Sequence, residues 1–418
     1  MLPSSLVRIL ERLERLLKID LRYLLKGGTF LTLTQVTSAV GALALTVAFA
    51  NLLPIETYGT YRYILAVYTL LAIAALPGLD TAVSQSAAQG HDSALRIGVR
   101  TKFRWGLLGA VASFVYAGYY YTQGSQVMCF IFIIVGIALP LMESFSLYTS
   151  YLNAKRLFGI SASIDIATQA LSIASLIVVM FLTKNILALT VAYFLPLITV
   201  RILAYWYVQR SHVHASANDT GLVQYGRSMT IFQVISRLIS SADQVILFHF
   251  LGPAQVAIFS LATAIPNRAQ GVFRITGTLA FPKFASRTSA EIAESLPRKM
   301  ILFMIGILAI CAAYIVAAPL LFTYIFPQYL PSLIYSQVAI FYTLSSITYP
   351  FGSYLMAHKK IRESYVIAIS SFIAKIVCLV GLVPFYGIWG AVVGLLATAL
   401  VNILLSFWLI YRERNVTI

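Results

Sequence analysis

The chain reads as an all-α membrane protein with about twelve transmembrane helices, and three features of the sequence say so. Charged residues make up only 11% of it and hydrophobic residues 60%, whereas a soluble domain carries about a quarter charged residues. Apolar stretches of some twenty residues recur from Gly28 to Ile410, each long enough to cross a hydrocarbon core about 30 Å thick as a helix. No segment shows the alternation of in-facing and out-facing residues that a membrane β-barrel requires.

The elements follow in order along the chain. From Ser4 to Lys26, leucines and isoleucines alternate with Arg8, Arg12, Arg15 and Lys18 at helical spacing. This stretch lacks the uninterrupted apolar run of a signal peptide. Residues 1–27 are therefore expected to form an amphipathic helix on the membrane surface, its basic face toward anionic headgroups. Spans are expected over 28–53, 60–88, 103–122, 126–152, 160–182, 186–208, 226–251, 255–281, 299–322, 331–357, 362–383 and 387–410. The second is interrupted at Pro77-Gly78 and continues through Asp80, Ser84 and Gln85. A broken backbone at membrane depth is tolerated only where protein or a wet cavity surrounds it.

The net charge of +16 would suggest nucleic acid in a soluble chain. Here the basic residues fall in the N-terminal arm, in the loops after even-numbered spans and in the tail, whereas the loops after odd-numbered spans hold only Arg62 and Lys184. That asymmetry places both termini in the cytoplasm. The charge is a topology signal, and no nucleic-acid partner is expected. Cys129, Cys311 and Cys378 lie inside apolar spans, where they behave as small hydrophobes.

Shifting the sequence by 198 residues brings Gly28, Thr32, Gln35, Val36 and Ser38 onto Gly226, Thr230, Gln233, Val234 and Ser236. Six spans per unit give both halves the same orientation, a parallel repeat whose substrate site is expected between two lobes. The organisation is then an N-lobe over 28–210, a linker over 211–224, a C-lobe over 225–411 and a cytoplasmic tail over 412–418.

Several short motifs carry a family resemblance. They are Gly28-Thr29-Phe30, the turn from Leu52 to Tyr61, Asn153-Ala154-Lys155-Arg156, and Ser241-Ala242-Asp243-Gln244 ahead of Leu251-Gly252-Pro253. In these the chain resembles the Wzx-type polysaccharide-exporting flippases of the multidrug/oligosaccharidyl-lipid/polysaccharide (MOP) superfamily, relatives of MurJ and the MATE drug exporters. The resemblance spans essentially the whole chain. It implies a MOP/MATE-like fold of two pseudo-symmetric six-helix lobes in the inner membrane, and translocation of a lipid-linked oligosaccharide. It also implies membrane lipids and polysaccharide polymerase or assembly proteins as partners.

Charges at membrane depth are functional candidates, because each costs about 2.5–3.5 kcal/mol even on the lenient insertion scale. Helix rise puts Arg237, Arg268 and Lys375 near the midplane, about 16–20 Å from a span end. Arg201 and Arg274 are placed deeper toward the cytoplasm, within snorkelling reach of headgroups. Gln233, Arg237, Ser240/Ser241 and Gln244 form a polar stripe on the seventh span, with Gln35 the repeat counterpart of Gln233. The candidate substrate-binding set is thus Arg237, Arg268, Lys375, Gln233, Gln35, Arg274 and Arg201. Asp243 is a coupling group or the counter-ion of a neighbouring arginine. Asp80, Glu143 and Asp165 are expected to pair with basic residues near their cytoplasmic ends. The cationic balance suits a phosphate-bearing head, such as a polyprenyl-diphosphate-linked oligosaccharide. A MATE-like cation antiporter and a non-transporting assembly scaffold are the other readings. No nucleophile–base pair, phosphate loop or metal cluster is visible in the sequence, and neither an enzyme nor a cofactor is expected.

Overall fold

A computed structural model describes residues 21–416 apart from 214–218, 286–288 and 359, and within them every regular element is a helix. The surface helix expected over 1–27 lies almost wholly outside the described residues. The helices are α1 (Leu21–Leu52), α2 (Ile55–Leu71), α3 (Leu79–Ala88), α4 (Ser93–Thr122), α5 (Gln126–Phe145), α6 (Leu147–Ala154), α7 (Phe158–Leu182) and α8 (Ile186–Ser211). They continue with α9 (Leu222–Leu251), α10 (Pro253–Ala285), α11 (Ser289–Tyr324), α12 (Ser332–Ala339), α13 (Tyr349–Ala357), α14 (Ile361–Tyr386) and α15 (Ile388–Val416).

Each expected span is helical. Among the described residues, seven helices are long and apolar enough to cross a bilayer, and α2 with α3, bent by 53°, makes an eighth if the pair is one span. The bend falls at the expected Pro77-Gly78: after a 3-10 turn over Ala72–Ala75, Leu76 takes a positive φ of 54°. The tenth span is also broken, which the sequence reading did not anticipate. Between α12 and α13 it narrows to a 3-10 helix over Ile340–Thr348. The Thr343, Ser345 and Thr348 hydroxyls donate to the carbonyls three residues back at 2.6, 2.8 and 2.7 Å. Such local bonds offer the backbone an alternative to the α-helical ladder. The third span starts earlier than expected. Arg96, Arg100, Lys102 and Arg104 belong to α4 and not to a loop.

The described chain forms two compact units. The first comprises Met1–Leu45, Ala74–Leu182 and Leu187–Thr230. Its core gathers Val83, Leu95, Leu147, Tyr148, Tyr151, Leu152, Val208 and Leu222. The α3 break is docked there on the start of α9. The Gly78 amide donates to Thr230 Oγ1 at 3.1 Å, and a Cβ at Gly78 would fall 2.3 Å from the Gly226 carbonyl oxygen. The second unit comprises Thr46–Ile73, Thr183–Ile186 and Ile231–Ile418. One of its cores joins Leu247, Val256 and Phe259 of α9 and α10 to Leu379, Val383, Val392 and Leu395 of α14 and α15.

Candidate substrate site

The site is built on α2, α9 and α10 of the second unit, and Gly59 is what lets α2 reach α10. A Cβ at that position would lie 1.7 Å from the Pro253 carbonyl oxygen, so the two backbones approach only because glycine has no side chain. On the α9 side, Tyr63 is fully buried and stacks on Phe248 with ring centroids 3.7 Å apart. This wedging fixes Arg62, the residue between these anchors. Its guanidinium donates to the Gln244 amide oxygen at 2.8 Å, and its carbonyl oxygen accepts from the amide nitrogen at 3.0 Å, with the amide oriented to satisfy both groups. Arg62 Nε is buried and has no hydrogen-bond partner among the described residues.

Arg268, exposed on α10, lies within electrostatic range of Arg62 and of the buried Tyr58. Among the described residues neither arginine makes a salt bridge. Two like charges within each other's field repel one another and favour the arrival of an anion. Helix α10 runs on through Pro266 without a break, so the loosened backbone that proline would allow is not needed to place Arg268. Arg237 and Gln233 are both half-buried on α9. They lie on the face that carries Gln244, two and three turns away.

Lys375 and Asp243 meet each other. The Lys375 ammonium lies 2.8 Å from each Asp243 carboxylate oxygen and also donates to the Ile239 carbonyl oxygen. Both residues are at least 95% buried. Asp243 is therefore the counter-ion of a lysine and not, as one expectation had it, of an arginine. Arg274 is exposed and lies within electrostatic range of the Tyr349 hydroxyl. Arg201, in the first unit, donates to the Met142 carbonyl oxygen at 2.7 Å and is near Asp165. Gln35 is on α1, and its side chain lies outside the described residues. In the first unit the buried Lys102 is 2.9 Å from Asp80 and 3.8 Å from Glu143. Those acids are thus paired, by a helical lysine and not by a loop. Among the described residues no three His, Cys, Asp or Glu side chains cluster in a way that could hold a metal ion.

Sequence reasoning missed Arg62, which it had counted as an outer-loop residue. Its repeat counterpart is Ser260, so the internal symmetry gave no hint. The available signal was its place one turn after Tyr58-Gly59, inside a predicted span.

The signature of the family described as polysaccharide biosynthesis protein matches residues 24–288, well over half of the chain. The chain belongs to that family. No curated protein matches it by sequence. Among solved structures it is similar to the lipid II flippase MurJ in an inward closed conformation, with a TM-score of 0.62 at 12% identity, covering 92% of this chain and 87% of that one. It is also similar to a MATE multidrug resistance transporter in an outward-facing conformation, with a TM-score of 0.60 at 13% identity over 93% and 96% of the two chains. A MOP superfamily transporter from Pyrococcus furiosus Vc1 gives a TM-score of 0.53 at 14% identity over 93% and 94%. At such identities the likeness is one of fold. This member of the polysaccharide biosynthesis family is a multi-pass helical membrane protein with the MOP fold.

Proposed function

We propose that the protein flips a polyprenyl-diphosphate-linked oligosaccharide from the cytoplasmic to the outer leaflet of the inner membrane by alternating access. Arg62 and Arg268 hold the diphosphate. The carrying observation is that α2 and α10 bring these two arginines into one field, with no acid paired to either among the described residues. Planar guanidinium forks match phosphoryl oxygens. Arg237 and Gln233 extend the polar face of α9 toward the glycan. Lys375 is neutralised by Asp243 and serves the wall of the site more than the ligand. Arg201 is engaged with the Met142 carbonyl and acts as a structural group, while Arg274 is exposed beside Tyr349. The positive-inside pattern supports cytoplasmic termini. An inside-negative potential assists outward anion movement by about 2.3 kcal/mol per charge per 100 mV, so a dianion needs no nucleotide hydrolysis.

The test is surface glycan in a strain that depends on this chain, measured together with the amount of protein in the membrane. Arg62→Ala and Arg268→Ala should each lower export by about ten- to a hundredfold, the range for losing a charged hydrogen bond, at near-normal abundance. Arg268→Lys should retain part of it, and Arg201→Ala should export normally. Normal export from both Arg62→Ala and Arg268→Ala would refute the reading.

A further inference from the structure

A groove of about 490 Å³ runs between α7 and α8 in the first unit, far in sequence from the arginine site. Its wall is apolar apart from Ser163 and the Tyr207 hydroxyl: Gly159, Ile160, Ile164 and Ala167 come from α7, and Val200, Leu203 and Ala204 from α8. On both helices these residues recur at intervals of three and four, one stripe per helix. On α7 they fall in its first ten residues and on α8 in its last twelve. The groove therefore occupies one leaflet, the one at which the α7 N-terminus and the α8 C-terminus emerge.

The α8 stripe continues past Tyr207 to Arg210, one turn on. Arg210 is exposed, and its guanidinium stacks over the Trp206 ring at 5.6 Å. The exposed Arg156 precedes Gly159, the first wall residue of α7, by three residues. An apolar groove with two exposed arginines and a tryptophan beyond its end of α7 and α8 has the chemistry to hold one anionic lipid molecule. We infer that this groove is a binding site for an anionic glycerophospholipid of that leaflet, one acyl chain lying along α7 and α8 and the phosphate held by Arg210 and Arg156. The site is separate from the proposed substrate site and does not depend on what the protein transports.

The experiment is native mass spectrometry of the full chain, released from detergent after titration with phosphatidylglycerol, phosphatidylethanolamine or undecaprenyl phosphate. The wild type should retain phosphatidylglycerol in preference to phosphatidylethanolamine. Removing each arginine should cost about fivefold in retention, so Arg156→Gln with Arg210→Gln should erase the preference. Arg210→Lys should keep most of it. Ala167→Phe changes an exposed groove residue, so folding is spared, and it should lower retention of phosphatidylglycerol by obstructing the chain. Equal retention of phosphatidylglycerol by the wild type and the double glutamine variant would overturn the inference. So would an Ala167→Phe variant that binds as the wild type does, because the groove would then not hold the acyl chain. Preference for undecaprenyl phosphate over phosphatidylglycerol would assign the groove to the prenyl substrate and overturn it as well. None of these outcomes bears on export by Arg62 and Arg268, so the two proposals fail separately.

Discussion

Two cationic places in the second unit use charge in opposite ways. Lys375 is sealed in the wall with Asp243 at 2.8 Å from both carboxylate oxygens, so the pair is close to neutral and its desolvation is offset by its own attraction. Arg62 and Arg268 are half-buried and exposed, lie within each other's field, and make no salt bridge among the described residues. A charge that brings its own partner supports structure. A charge kept without one at membrane depth is retained at a cost, which the proposed binding of the diphosphate would offset. The first unit repeats the lesson, since Lys102 is buried between Asp80 and Glu143.

The contrast is sharpest in what truncation does to the folded protein. Lys375→Ala strands a buried carboxylate and should destabilise the protein by about 3–5 kcal/mol, the usual penalty for breaking a buried pair. Thermal unfolding in detergent should show this as a large loss, with low abundance in the membrane. Replacing both partners, Lys375→Met with Asp243→Leu, should recover most of the stability. If Lys375→Ala were as stable as the wild type, or if Arg268→Ala proved equally unstable, the division between the two places would collapse.

Gly59→Ala tests what brings the arginines together. Its Cβ would meet the Pro253 carbonyl oxygen at 1.7 Å, a backbone atom with little room to move, and overpacking of this kind costs about 1–3 kcal/mol. The expected result is a moderate drop in the unfolding midpoint and a loss of export larger than the stability loss explains, because α2 shifts and Arg62 with it. Export in proportion to protein amount would mean that the close approach is not what positions the site.

The smallest effect belongs to a carboxylate outside the membrane-spanning helices. Asp219 is held below its ordinary value chiefly by the neighbouring Ser86 side chain, against some desolvation, with help from the Gly221 amide, which donates to its Oδ1 at 2.9 Å, the charge of His91 and the Leu222 amide. A depressed folded value means its contribution is fully present above about pH 4. The contribution then fades as pH falls through the folded value. Asp219→Asn should therefore lower the unfolding midpoint slightly at pH 7 and by less at pH 3. A larger effect at pH 3 than at pH 7 would reverse the assignment.

The amino-acid sequence alone determined the class of this protein, the approximate place of each helix and the break at Pro77-Gly78. Apolar length, basic asymmetry and backbone chemistry are local properties, and a span needs little else to be recognised. It also pointed to Arg268 by its depth and to the polar face of α9 by its spacing. Only the tertiary structure decided which charges are partners. Lys375 and Asp243 are 132 residues apart, and nothing local distinguishes a lysine that will meet an aspartate from one that will face a ligand. The 3-10 stretch of the tenth span required knowing that the Thr343, Ser345 and Thr348 hydroxyls turn back on their own helix. Arg62 passed for a loop residue because its place is set by what Gly59 and Tyr63 dock against, Pro253 and Phe248. Charge pairing and close backbone approach are properties of atoms brought together by folding, and single-chain periodicity carries no record of them.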